Sequence, residues 1–575
     1  MTSQIDEVIA EAVVVRKTKE ELEQQRKDIE ALHNFYKMRK KGGEWSMSFK
    51  KIEFLNLLKR FGFYAYEMDV NTIKFVRMVN NTIQEVNEKT IIKEFLKHIE
   101  AIPTLEKLTI PEEEYNQKDD AEKAQYIRKV TSDTIKEAAL NSLDTLFKTK
   151  LLYCLTPDRP IEIMSDEKFS KYLFYKNGFV QITKDDITLH DYSELKKNIF
   201  INQVLQRDYV QDIATFNDPA RAKEKGNFEK FFYNICIVYD KQRKIDIEKT
   251  ERRFLSLKTI VGYALHNYMQ YKLSLILFTD ARLNEEDEAN GRTGKTLLCK
   301  ALGKMLNTDE KSSVFVELNG KDFTPDDKFK YSKCNLDTRL VHINDMRKYF
   351  DIEHLFNDIT DGIFVKKEHE KGYPIQSKML ASSNKKVKIE GESAIDRTII
   401  FELSEYYSSV RSPLTEFKQW FFSDDWDAME WSKFDNFILS CCQEFFKHGL
   451  VRADPINLKM NTLYDHTHRD FVRWFKYQFS EFDDEGSINI DRILINSWQI
   501  DMKDRSRYNK KELYNKFTSD YPDFLRMKYF NQAMFTKWIK RYVATMYDDK
   551  VKIDEIRSSG CDYIIFTYKE KPEIK

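Results

Sequence analysis

The residues best suited to chemistry stand in one stretch, Ala289-Asn290-Gly291-Arg292-Thr293-Gly294-Lys295-Thr296. Its spacing is that of a phosphate-gripping loop, a small residue followed after four positions by Gly-Lys-Thr. Small residues let successive backbone N–H groups turn inward around phosphate oxygens. Lys295 can then reach the β- and γ-phosphates, while the Thr296 hydroxyl can sit on a magnesium ion. Leu297 follows directly and completes the cofactor-binding stretch, whose expected ligands are ATP and Mg²⁺. The lead-in from Asp280 to Glu288 is rich in acid, and carboxylates repel a triphosphate unless they point outward or hold a cation.

Such a loop must be carried by a strand and a helix. Leu273 to Phe278 is a short apolar run suited to a buried parallel strand, and Leu297 to Leu302 reads as an amphipathic helix whose N-terminus faces the anion. Two further strands bring polar ends. Leu340-Val341-His342-Ile343 ends in Asn344-Asp345, where Asp345 is placed to hold the Mg²⁺ water shell. Asn344 stands where a second acid ordinarily polarises the attacking water, so the general base is unassigned. Met379 to Ser383 ends in Asn384, an amide able to bond both the γ-phosphate and the lytic water. Asp396-Arg397 precedes the strand Thr398 to Leu403, and Arg397 is suited to reach a γ-phosphate bound on a neighbouring subunit. The catalytic candidates are therefore Lys295, Asp345, Asn384 and Arg397, with Thr296 and Asp345 for the metal.

At these residues the chain resembles the superfamily 3 ring helicases, the AAA+-like replicative ATPases of viruses and plasmids. It looks most like the poxvirus- and phage-type primase–helicases, over roughly residues 231–407. The resemblance implies an α/β fold: an AAA+-like P-loop ATPase core, an α-rich N-terminal domain and a C-terminal winged-helix domain. It implies an ATP hydrolase that works as a replicative DNA helicase. The particle would be a homo-oligomer, a hexameric ring translocating on single-stranded DNA or a forked duplex, with a separate primase or polymerase as partner. Such helicases carry a DNA-gripping β-hairpin between the second and third motifs. Gly362 to Ile375 fits that place, with Lys371 at its tip and Lys366, Lys367 and His369 in support. Two other readings share the ATP motifs: a loading or remodelling switch without unwinding, and a structural nucleotide-binding module.

The rest of the chain bounds these readings. With 575 residues, 41% hydrophobic and 14% aromatic, it holds several folded domains. Lys+Arg and Asp+Glu cancel at 94 each, so a nucleic-acid role cannot be argued from net charge and needs local basic patches. The 7 cysteines show no Cys-x-x-Cys, which points to a reducing compartment and no thiolate zinc site. Without a signal-peptide pattern or a membrane-length apolar run, the expected location is the cytoplasm of a bacterial host, away from membranes.

Expected domains are a helical extension over 1–44, a mixed, mainly helical domain over 45–230, the ATPase domain over 231–410, a helical segment over 411–469 and a winged-helix-like domain over 470–575. Thr2 to Lys41 is helical in composition, with Val15, Leu22, Ile29 and Tyr36 at heptad spacing; it reads as a coiled-coil arm or as one helix docked on its own chain. Tyr172 to Ile182 reads as a hairpin around Asn177-Gly178. His266 is expected as a packed core histidine, and Cys441 and Cys442 as core thiols. Near the end come a helix over Lys510 to Tyr521, a basic one over Asn531 to Met546 with Lys537, Lys540 and Arg541, and a hairpin from Val551 to Tyr568.

Overall fold

A computed structural model describes residues 33–41, 44–69, 72–108, 110–240, 242–269, 274–281, 292–307, 312–384, 387, 389, 392–457, 460, 463–464, 466–478, 481–482, 488–489, 507–547 and 551–568. One N-terminal expectation is corrected. The helix expected to reach Lys41 does not: Tyr36–Lys41 is a strand, antiparallel to Glu44–Phe49, while residues 1–32, with the other heptad positions, lie outside the described residues. The cause is aromatic packing. Phe35 and Tyr36 are buried, the Phe35 ring meets Phe95, and the Tyr36 hydroxyl bonds His33 Nδ1 at 2.6 Å.

The segment over 45–230 is mixed, its helices Lys51–Arg60, Glu88–Glu100 and Ser132–Leu140 standing beside two four-stranded sheets. Phe63–Asp69, Thr72–Val79 and Thr82–Val86 form an antiparallel meander. Asn80 and Asn81 both take positive φ, 48° and 60°, which suits a tight two-residue turn. Aromatic and β-branched residues on these strands outweigh the helical composition around them. The expected hairpin is present, with Lys171–Tyr175 antiparallel to Gly178–Ile182.

The central body is a five-stranded sheet. Helices α1 (Asn227–Asn234) and α2 (Ile247–Leu265) precede it. In chain order come β1 (Leu275–Asp280), α3 (Lys295–Leu306), β2 (Phe315–Asn319), β3 (Leu340–Asn344), β4 (Lys378–Ser382), β5 (Thr398–Leu403) and α4 (Ala428–His448). The spatial order is β2-β3-β4-β1-β5, and every neighbouring pair is parallel. All five C-terminal ends therefore share one rim.

Side chains alternate between the faces. Ile276, Phe278, Leu340, Leu380, Ile399 and Phe401 join a core with α1 to α4. Leu277, Val316, Leu318, Val341, Ile343 and Ala381 join another, which also holds Val76 and Ile83 of the N-terminal meander. Covering both faces explains why these strands read as nearly unbroken apolar runs.

His266, just after α2, is buried and donates from Nε2 to the Glu167 carbonyl at 2.7 Å; burial pushes its imidazole down to about 4. It is the core histidine expected. Cys441 and Cys442 are buried free thiols in α4. No described helix is long and apolar enough to cross a membrane. At the C-terminal end, the helices Lys510–Asp520 and Gln532–Tyr547 lead into an antiparallel hairpin, Val551–Ser558 with Cys561–Tyr568, around a core of Phe517, Phe535, Ile539 and Ile564.

Helices α2 and α4 cross closely at Gly262. A Cβ there would come within 2.7 Å of Phe445 Cβ and also strike the Cys441 carbonyl. Gly262→Ala should therefore destabilise the central domain by about 1–3 kcal/mol through overpacking. A lowered denaturation midpoint is the expected result.

Candidate functional site

The site is built on the C-terminal rim of the sheet, on the face that carries α3. Gly294 has φ 105°, and a Cβ there would lie 2.8 Å from the Phe231 ring of α1. Glycine is thus required where the chain turns into α3, and Lys295 is the first residue of that helix. Lys295 is only 7% exposed. Its ammonium pairs with Asp280, the last residue of β1, and lies 3.4 Å from Thr293 Oγ1. The Thr293 hydroxyl donates to the other Asp280 oxygen. Burial pushes the Lys295 ammonium below its ordinary value, Asp280 opposes that, and Asp345 adds a smaller opposing pull. Asp345 is therefore within electrostatic reach of Lys295.

Asp345 follows β3 with φ 57°, a left-handed turn that aspartate tolerates better than most residues. Its Oδ1 accepts from Asn384 Nδ2 at 3.3 Å and its Oδ2 pairs with Lys321 Nζ at 2.7 Å. The ends of β3 and β4 thus meet through two of the expected residues. Thr296 is exposed on the first turn of α3, and Leu297 packs partly into the core behind it. Of the loop, Arg292 and Thr293 are described, whereas Ala289, Asn290 and Gly291 lie outside the described residues.

Around Asn344 lies a polar ring whose full membership the sequence did not reveal. Asn344 Nδ2 donates to Glu317 Oε1 of β2 at 3.0 Å, and Asn344 Oδ1 accepts from Ser382 Oγ of β4 at 3.0 Å. His342 Nε2 lies 3.0 Å from Ser382 Oγ, and its Nδ1 faces Glu317 Oε2 at 3.3 Å, off the line of a good hydrogen bond. The one available signal was a polar residue interrupting each apolar strand, Glu317 in β2 and His342 in β3. The His342 contact holds the Glu317 carboxyl below its ordinary value, although burial opposes it. Burial of His342 would push its imidazole down, but Cys299 and Glu317 outweigh it and raise it to about 9.

Arg397 is not brought to this rim. Its carbonyl accepts from Leu275 N at 2.8 Å, so it sits level with the start of β1, and its guanidinium lies 4.9 Å from the Phe356 ring centre. The six residues of β1 put about 20 Å between it and the Lys295 end. Within one chain, Arg397 cannot serve Lys295.

The hairpin pairs Ile363–Val365 with Tyr373–Ile375 and packs on the sheet face opposite α3. Lys366 donates to the Glu370 carbonyl and Lys367 to Asn335 Oδ1; His369, at φ 59°, and Lys371 are exposed in the connecting loop. Lys74, from the N-terminal meander, pairs with Glu370 at 3.0 Å and lies 4.1 Å from the Tyr373 ring centre. Sequence reasoning missed Lys74, because nothing local to it points to a hairpin almost three hundred residues away.

No protein-family model matches the chain, and no curated protein matches it. Among solved structures it is similar to the A-form apo structure of the NrS-1 C-terminal region, at 11% identity and TM-score 0.33, over 89% of this chain and 98% of that one. That overlap is too loose to transfer a fold or an activity.

The polar ring has a measurable signature. His342 is protonated more readily folded than unfolded, where its value is about 6.5. Its stabilisation is therefore complete below about pH 6.5 and lost as pH rises through about 9. The stability difference between wild type and His342→Gln should shrink across that window in denaturant titrations. A constant difference would mean His342 is neutral in the fold.

Proposed function

We propose that this chain is an ATP hydrolase of the superfamily 3 helicase type, driving translocation on single-stranded DNA. One observation carries the reading: Lys295, following a left-handed glycine at the start of α3, shares a rim with the Asp345–Asn384 pair. The strand order supports it, because β4 lies between β1 and β3 and presents Asn384 between the lysine and the acid.

In this reading the core is an AAA+-like P-loop domain. The phosphates of ATP take the place Asp280 holds against Lys295, with backbone N–H groups at the α3 N-terminus and Thr293 beside them. A magnesium ion would be held by Thr296 and Asp345 and would neutralise charge on the β- and γ-phosphates. The donor set fits that ion: a hydroxyl and a carboxylate, both hard oxygens. Asn384 orients the lytic water against the γ-phosphate. Arg397, remote from its own rim, suits action on the site of an adjacent copy, which is the reason to propose a ring, hexameric by resemblance. Lys366, Lys367, His369 and Lys371 belong to the proposed DNA-contacting hairpin. The C-terminal helices and hairpin are read as a winged helix, although Glu555 pairs with both Lys510 and Lys540 and mutes its basic face. A primase or polymerase would be supplied separately.

One observation favours the second reading, a loading or remodelling switch without unwinding. Lys366 and Lys367 are engaged by their own chain, and Lys74 ties the hairpin to the N-terminal meander.

A forked-duplex assay with ATP tests the proposal. Wild type should unwind, and Lys295→Ala should lose hydrolysis by roughly 100-fold or more, with unwinding lost alongside. Lys371→Ala should uncouple the two, retaining ATPase while losing strand separation. DNA-stimulated hydrolysis without unwinding, unchanged in Lys371→Ala, would select the switch. Failure of wild type to turn over ATP with any DNA would reject both.

A further inference from the structure

The residue at the end of β3 that ordinarily activates water is an amide here, yet a carboxylate touches it. We infer that Glu317 of β2 is the general base of the hydrolysis proposed above, doing from the neighbouring strand what Asn344 cannot. The inference rests on that reading of the site.

Three geometric facts converge on it. Glu317 faces the same side of the sheet as Asp280, Asn344 and Ser382, because the alternation along β2 sends Val316 and Leu318 to the opposite core and Phe315 to the α3 core. Its register partner is His342, yet its side chain reaches along the rim to Asn344 Nδ2 at 3.0 Å. It is also incompletely buried, with 46% of its side chain exposed, so a proton it accepts can leave to bulk water.

The neighbours give the carboxylate its state and direction. Asn344 meets Oε1 and His342 faces Oε2, one neighbour on each oxygen, which favours the ionised group and fixes its direction on the rim. Ser382 closes the ring by bonding both Asn344 and His342, so the carboxylate's orientation is tied to β3 and β4 together. A base must be ionised before reaction and positioned within reach of one water molecule.

The step balances without another reactant. A lone pair on the water oxygen forms the new bond to the γ-phosphorus. The bond from that phosphorus to the β–γ bridging oxygen breaks, and its electron pair leaves with ADP. The water's proton passes to Glu317 and from there to solvent.

An ordinary ion-pair partner for His342 would account for part of this arrangement, and the full-length protein separates the two roles. Glu317→Gln should bind a fluorescent ATP analogue within about threefold of wild type while hydrolysis falls roughly 100-fold or more. The double variant Glu317→Gln/Asn344→Asp exchanges acid and amide across one hydrogen bond. It should recover at least tenfold of the lost rate, while Asn344→Asp beside an intact Glu317 should not exceed wild type, as it would in a site that lacked a base. Should Glu317→Gln lose its fold, Asn344→Asp alone decides: a rate no higher than wild type supports the inference, and a rate at least tenfold above it overturns it, because the wild-type site then lacked a base. Near-wild-type turnover in Glu317→Gln also overturns it, leaving the ATPase reading intact. Wild type that neither binds nor hydrolyses ATP removes the ATPase reading itself, and Glu317 with it.

Discussion

Parallel pairing of the five central strands is the constraint from which the rest follows. Backbone hydrogen bonding fixes strand direction, so residues distant in sequence are forced to end at one rim. Asp280, Asn344 and Ser382 come from three strands yet stand on one face of neighbouring or next-neighbouring partners. Had β1 run the other way, Asp280 would stand at the level of Arg397, and α3 would begin at the wrong edge. The apolar strand interiors are what hold that direction. Both faces are buried, and a slip by one residue would send Phe278 and Ile343 to the opposite cores.

Charges on such a rim are costly unless paired, and the pairings define a resting state. Lys295 sits at 7% exposure with Asp280 as its counter-ion. An anion binding at Lys295 must therefore displace a carboxylate, rather than enter an empty site. The exchange is less unfavourable than it looks, because Thr293 and the α3 N-terminus remain available as donors to whichever anion is bound. His342 and Glu317 make the complementary case: a cation kept inside the fold by a carboxylate on its edge. At the other end of β4, Lys378 is wholly buried and donates to the carbonyls of Tyr263 and His266, with burial holding its ammonium down to about 7. Each end of β4 is thus anchored by polar groups that cannot be removed singly without leaving a partner unsatisfied.

What could be read from the sequence followed from local physics. Apolar runs bounded by polar ends marked β1, β3, β4 and β5, and Gly294-Lys295 marked the turn into α3. The hairpin over 362–375 was legible because the resemblance calls for one between the second and third motifs, and two strand-like arms stand there around a Glu-Lys-Gly turn. Failures came where partners are remote. Tyr36 looked helical because the heptad spacing took no account of Phe95. The Glu317–Asn344 bond joins residues on strands whose adjacency depends on the sheet order, which no local pattern encodes. Asn344 alone looked like a deficiency; beside Glu317 it is one half of a pair.

The same topology links the hairpin to the rim. The arm Tyr373–Ile375 is followed, after Gln376 and Ser377, by β4, and β4 runs straight to Ser382 and Asn384. Along that one stretch lie the ring member Ser382, the Asp345 partner Asn384 and the buried anchor Lys378. Lys378 anchors the far end of β4, and Tyr373 stands where the same stretch leaves the hairpin. There Lys74 holds Glu370 and stacks on Tyr373, so motion of the hairpin is opposed by the N-terminal meander as well. The Asp345–Asn384 pair and the hairpin are thus joined along the chain through β4, while the hairpin and α3 lie on opposite faces of the sheet.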